Sequence, residues 1–120
     1  MEKPNPQTVA WYDRSVPEDP RVQKGQMFGQ PCAFVNGHMF FGTFAQTVVA
    51  RVGETRARAL AEPPLRIFEP MAGRAWKAYV QVETGALPDA QVQALAREAL
   101  EATAQLPEKV KKGPAKTKKN

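Results

Sequence analysis

The stretch "MFGQPCAFVNGHMFFG", residues 27–42, decides the fold because it places an Asn-Gly pair between two apolar segments. Asn36 and Gly37 suit a two-residue hairpin turn, in which both central positions take positive φ. We therefore expect "CAFV" and "HMFF" to form two antiparallel strands, in which Val35 lies opposite His38 and Cys32 lies opposite Phe41.

The same pairing predicts where the only cysteine and the only histidine of the chain lie. Side chains alternate between the two faces of a strand, so Cys32 and His38 are expected on opposite faces of the sheet. One face would carry Cys32, Phe34, Met39 and Phe41, and the other Ala33, Val35, His38 and Phe40. A nucleophile and base pair or a shared metal site is therefore not expected. A β-bulge that rotates one strand is the alternative.

The remaining elements are predicted from caps, prolines and hydrophobic periodicity. A short helix should begin at Asn5 and Pro6, and a longer amphipathic helix at Pro88 and Asp89. Between them we expect a third strand at 47–52, a short helix at 54–62, and strands at 65–68 and 76–83. This order, α-β-β-β-α-β-β-α, predicts a two-layer α+β fold with a five-stranded antiparallel sheet and helices packed against it.

The charge is concentrated at the C-terminus. Residues 107–120 contain six Lys and one Glu and account for the whole net charge of +5, so residues 1–106 are neutral. We expect one domain over 1–106 and a disordered lysine-rich tail over 107–120. The chain shows no signal-like segment and no apolar run long enough to cross a membrane, and one cysteine fits a reducing compartment. These features predict a cytoplasmic protein.

The chain resembles the N-terminal domain of the TfoX/Sxy proteins, bacterial regulators of competence for DNA uptake. The resemblance rests on "MFGQPCAFVNGHMFFG" (27–42), "VARVG" (49–53), "GRAWKAYVQVE" (73–83) and "LPEK" (106–109), in that order, and covers about residues 20–110. It implies a fold like that of bacterial secretion chaperones and a regulatory or partner-binding role, because the full-length regulators act with the cyclic-AMP receptor protein. The family supplies no catalytic residues. The resemblance does not include the helical C-terminal domain of those regulators.

The functional expectation is a non-enzymatic domain without cofactor, metal or small-molecule substrate. Both faces of the predicted hairpin are apolar, so Val35 and Phe40 could lie on a face that a protein partner or a second copy covers, or that a loop or the first helix covers. The alternative function is weak, sequence-independent nucleic-acid binding by the tail. Its candidate residues are Lys109, Lys111, Lys112, Lys116, Lys118 and Lys119.

Overall fold

The computed structural model describes residues 2–107, which form three α-helices and six β-strands. The lysine-rich tail predicted over 107–120 lies, apart from Pro107, outside the described residues. In chain order the elements are α1 (Pro6–Ser15), β1 (Gln23–Met27), β2 (Gln30–Val35), β3 (His38–Phe44), β4 (Thr47–Arg51), α2 (Glu54–Leu60), β5 (Leu65–Met71), β6 (Arg74–Glu83) and α3 (Asp89–Ala104).

The six strands form one open antiparallel sheet in the order β1-β2-β3-β4-β6-β5. The α+β class is confirmed, but the predicted count of five strands is wrong because β1 was not expected. Its sequence, "QKGQM", has no apolar alternation, and most of its residues are exposed because it is an edge strand. Hydrophobic periodicity therefore gives no signal for it.

The predicted turn at Asn36 and Gly37 is confirmed, with φ of 54° and 81°. The predicted pairing holds next to the turn, where Val35 lies opposite His38, but it fails beyond Phe34. Phe34 lies opposite Met39, but Ala33 then lies opposite Phe41, so that Phe40 is an extra residue in β3. This β-bulge places Phe41 in the helix-side core, which corrects its predicted place beside Cys32, and brings Gly42 opposite Cys32 instead.

The main core lies between the three helices and one face of the sheet. Trp11, Tyr12 and Val16 from the first helical region pack there, and Tyr12 stacks on Phe41 with ring centroids 5.7 Å apart. Helix α3 is amphipathic as predicted, and its buried residues are Val92, Leu95, Ala96, Ala99, Leu100 and Thr103. None of the helices within residues 2–107 is long and apolar enough to span a membrane.

Helix α1 begins as its sequence predicts. The side chain of Asn5 accepts a hydrogen bond from the backbone N–H of Thr8 at 2.9 Å, and proline occupies the first turn. The Thr8 hydroxyl is fully buried and lies 2.6 Å from the hydroxyl of Thr84 and 3.1 Å from Oε1 of Gln46. This polar contact fixes the start of α1 against the loops that follow β3 and β6.

A second, smaller core lies on the opposite face of the sheet. Its buried residues are Cys32, Met39, Val49, Phe68 and Tyr79, all from strands. The hairpin of β5 and β6 is irregular here, because Ile67 lies opposite Val80 whereas the next residue, Phe68, lies opposite Trp76. The extra residues in β6 shift the register, and this part of the hairpin contributes Phe68 and Trp76 to the second core.

Candidate functional site

The only cysteine is a buried core residue. Cys32 is 1% exposed, and its Sγ lies 4.0 Å from the carbonyl oxygen of Thr43. Burial raises the pKa of the thiol to about 11, so little of it is thiolate near neutral pH. Its surroundings suit a packing role and not a nucleophile.

The only histidine lies at the other side of the sheet, where helix α3 ends. His38 is half-buried, and its Nε2 lies 2.8 Å from the carbonyl oxygen of Pro107. The neighbouring Asn36 donates from Nδ2 to the carbonyl oxygens of Ala104 and Leu106. These contacts hold the end of α3 to the hairpin turn. Within residues 2–107 no group of three or more His, Cys, Asp or Glu side chains could hold a metal ion.

The two residues expected on a partner-covered face are buried within this chain. Val35 is 1% exposed and Phe40 is 0% exposed, and both lie in the main core beneath the helices. The structure therefore corrects the expectation of a partner at these two residues and shows the alternative, in which the first helix, together with α3, covers that face. The six candidate lysines, Lys109, Lys111, Lys112, Lys116, Lys118 and Lys119, lie outside the described residues.

The arginines around α2 are engaged in contacts within the chain. Arg56 pairs with Glu98 at 2.6 Å, and Arg58 approaches Glu54 at 3.8 Å. Arg51 lies over the ring of Tyr79, with its guanidinium carbon 5.6 Å from the ring centroid. The region is therefore largely neutralised, which disfavours it as a nucleic-acid surface.

A groove of about 510 Å³ lies beside α1 and is lined in part by Trp11, Arg14 and Thr84. Its charged groups bind one another, since Nε of Arg14 donates to a carboxylate oxygen of Asp89 at 3.0 Å. Nε1 of Trp11 donates to the other oxygen of the same carboxylate at 3.0 Å. These contacts join α1 to α3. The charged groups that line the groove therefore hold the two helices together.

The most distinctive surface lies where the β1–β2 hairpin and the β5–β6 hairpin meet. We call Phe28, Phe44 and Trp76 the hairpin-tip surface. The ring of Phe28 lies 5.7 Å from that of Phe44 and 5.9 Å from that of Trp76. Beneath them, Phe68 lies 5.0 Å from Phe44 and 5.1 Å from Trp76. Aromatic contacts therefore join hairpins from the two opposite edges of the sheet.

Two large hydrophobic side chains at the ends of these hairpins remain exposed, Phe28 in the β1–β2 turn and Met71 at the end of β5. Phe28 is 45% exposed and Met71 is 65% exposed. Phe44 and Trp76, which both contact Phe28, are half-buried. Clusters of aromatic and Met side chains of this kind are enriched at the centres of protein interfaces.

Phe28 also has a backbone conformation that its side chain disfavours. It occupies the turn between β1 and β2 together with Gly29, and their φ angles are 57° and 73°. Left-handed conformation costs roughly 1–2 kcal/mol for a residue with a Cβ, whereas Gly or Asn adopts it readily. A strained, half-exposed aromatic residue at a turn position indicates a use beyond the turn itself.

Two exposed basic residues lie close to Trp76 in the sequence of β6. Arg74 and Lys77 flank Trp76 in sequence and are exposed. Neither forms an ion pair with another residue in the part of the chain that the structure describes. The same hairpin also carries a carboxylate: Glu69 accepts a hydrogen bond from the backbone N–H of Gly73 at 2.8 Å.

Sequence reasoning did not identify the hairpin-tip surface. A signal was present in "MFGQ", where an aromatic residue precedes a glycine between two strands, but β1 itself was not expected and the turn was therefore missed. Trp76 carries no comparable signal. Its contact with Phe28 accompanies the irregular register of β5 and β6, which the sequence does not encode in a readable pattern.

The comparisons with known proteins identify the family. The family model described as TfoX N-terminal domain matches residues 17–103, so the chain belongs to the TfoX N-terminal domain family. No curated protein and no solved structure matches the chain. Membership supports a regulatory or adaptor-like domain, in agreement with the resemblance seen in the sequence.

Proposed function

We propose that this domain is a non-enzymatic regulatory or adaptor module that binds a protein partner through the hairpin-tip surface. Family membership supports the regulatory class. The observation that carries the proposal is Phe28, which is 45% exposed and held at a φ of 57° although Gly or Asn would suit the turn better. The role that the resemblance implies, regulation of transcription for competence, is the proposed context.

The surface combines the features expected of a contact site. Phe28, Phe44 and Trp76 are already ordered by contact with one another, so little side-chain entropy is lost when a partner covers them. The exposed cations Arg74 and Lys77 in the same strand as Trp76 favour a partner that carries acidic residues beside an apolar centre. Met71, at the end of β5 in the same hairpin as Trp76, is the most exposed large hydrophobic residue of the described chain.

The test replaces Phe28 by Asn, a residue that tolerates the left-handed turn. Relief of strain offsets part of the lost aromatic contacts, so the free energy of unfolding should fall by less than about 2 kcal/mol. Wild type, Phe28→Asn and the control Gln91→Ala, on the exposed side of α3, are used to capture partners from native cells. The wild type and the control should recover the same protein, and Phe28→Asn should lose it. Equal recovery by all three contradicts the proposal.

A second candidate function is weak nucleic-acid binding by the tail, for which the observation is the charge distribution. Residues 107–120 hold all of the net charge of +5. Lysines that neutralise phosphates give binding that weakens steeply with salt, and the tail has no aromatic residue to stack on bases. A chain truncated after residue 106 should lose a salt-sensitive gel shift that the full chain gives. Retention of binding by the truncated chain refutes this candidate.

A further inference from the structure

The two edges of the sheet differ in how well they could accept another strand. Edge strand β5 contains Pro70, which has no N–H to donate, and it follows directly after Pro63 and Pro64. Edge strand β1 contains no proline, and four of its five residues are exposed. Addition of a strand is therefore disfavoured at β5 and open at β1.

The hairpin register predicts which backbone groups of β1 point outward. Met27 and Gln30 close a two-residue turn, and a closing pair of this kind exchanges both of its hydrogen bonds. Alternate residues follow the same rule, so Lys24 and Gln26 direct their N–H and C=O groups away from β2. The partner of Gln26 agrees with this assignment, because Pro31 uses its carbonyl oxygen on the other side, accepting from the Thr43 hydroxyl at 2.8 Å.

A second copy of the same strand fits this edge in one register without conflict. Antiparallel pairing around a two-fold axis at Gly25 sets Lys24 opposite Gln26 of the second copy and Gln26 opposite its Lys24, so each outward backbone group is paired. The residues at the axis form a close pair with Cα atoms about 4.5 Å apart, a distance that glycine accommodates without side-chain contact. A register centred on Lys24 would instead place two lysines opposite each other, which is unfavourable.

Pairing between β1 of one copy and β5 of another would build open-ended filaments, and the prolines of β5 disfavour it. From these features we infer that two copies of this chain associate through antiparallel β1 strands, centred on Gly25, to form one continuous sheet. This inference concerns the edge strand and is independent of the hairpin-tip surface.

Sedimentation velocity of the full chain over a series of concentrations, reaching the millimolar range, tests the inference. The wild type should move from the 13.3 kDa monomer to a species of twice that mass. Gln26→Pro removes an outward N–H and should remain monomeric, whereas Gln26→Ala keeps the N–H and should dimerise. A wild type that stays monomeric at every concentration, or a Gln26→Pro variant that dimerises as the wild type does, overturns the inference.

Two further measurements test the inference without depending on the proline variant. Amide hydrogen exchange should show protection of Lys24 and Gln26 that increases with concentration, while Gly25 and Met27 are protected throughout. The double variant Lys24→Glu/Gln26→Lys places opposite charges across the predicted register and should tighten the dimer about 2- to 30-fold. Gln26→Lys alone places lysines opposite each other and should weaken it. Concentration-independent exchange, or an equal effect of the single and double variants, contradicts the predicted register.

Discussion

Replacement of Gly42 by Ala tests the β-bulge at Phe40, which sets the contents of both cores. A Cβ at Gly42 would overlap Sγ of Cys32 and lie 2.9 Å from its Cβ and 3.0 Å from its Cα. The Cα and Cβ are held by the backbone and cannot rotate away. In the regular register that the sequence predicts, Cys32 would lie opposite Phe41 and Gly42 would not meet it.

The expected cost follows from these contacts. Overpacking of a core costs about 1–3 kcal/mol. Ala has a lower backbone entropy than Gly in the unfolded chain, and this stabilising effect offsets a small part of that cost. We expect Gly42→Ala to lower the free energy of unfolding by about 2 kcal/mol, which urea denaturation would record as a midpoint lower by about 1 M. In a Cys32→Ala background the sulfur is absent, so the same replacement should cost less by at least about 0.5 kcal/mol.

Gly25 provides a matched control, because it also lies opposite Cys32 but on the other side of β2. A Cβ there would meet only the ring of Phe34, at 3.1 Å, and this half-buried ring can shift. Gly25→Ala should therefore change stability by less than about 1 kcal/mol. If Gly42→Ala leaves the stability unchanged, or if its cost is the same with and without the Cys32 sulfur, then Gly42 does not face Cys32. Either result contradicts the β-bulge at Phe40.

Three further predictions concern titration and capping. Burial raises the pKa of the Cys32 thiol from 9.0 to about 11. The stability that the protonated thiol contributes is therefore complete below pH 9 and is lost between pH 9 and 11. Cys32→Ala should remove this part of the pH dependence of the free energy of unfolding, measured by urea titration. Hydrogen bonds from Arg21 lower the pKa of Asp19, so Asp19→Asn should reduce stability at neutral pH, and its deficit relative to wild type should shrink as the pH falls below 3.8. Asn5→Ala removes the cap that accepts from the Thr8 N–H and should lower the free energy of unfolding by about 1 kcal/mol, whereas Asn5→Asp should preserve it.

The parts of the fold that the sequence predicts are those encoded by local chemistry. Asn36 and Gly37 specify a turn, Asn5 and Pro6 specify a helix start, and the spacing of apolar residues specifies α3. Each depends on residues within one or two turns of chain, so no knowledge of the rest of the fold is needed.

The parts that were missed depend on neighbours distant in sequence. Strand β1 is polar and gains its order from pairing with β2, and the bulge at Phe40 lets two successive phenylalanines reach the same core. Val35 and Phe40 were correctly placed on one face, but which face the helices cover is set by the whole packing arrangement. The hairpin-tip surface was missed for the same reason, since it joins the two edges of the sheet.

The proposed role of Phe28 is tested most directly by calorimetric titration of the captured partner, once purified, into wild type and Phe28→Asn. An aromatic residue at the centre of an interface contributes about 2 kcal/mol or more, so the dissociation constant should rise at least about 30-fold in the variant. Gln91→Ala should bind as the wild type does. Equal dissociation constants for wild type and a folded Phe28→Asn would show that the partner binds elsewhere and would contradict the proposal.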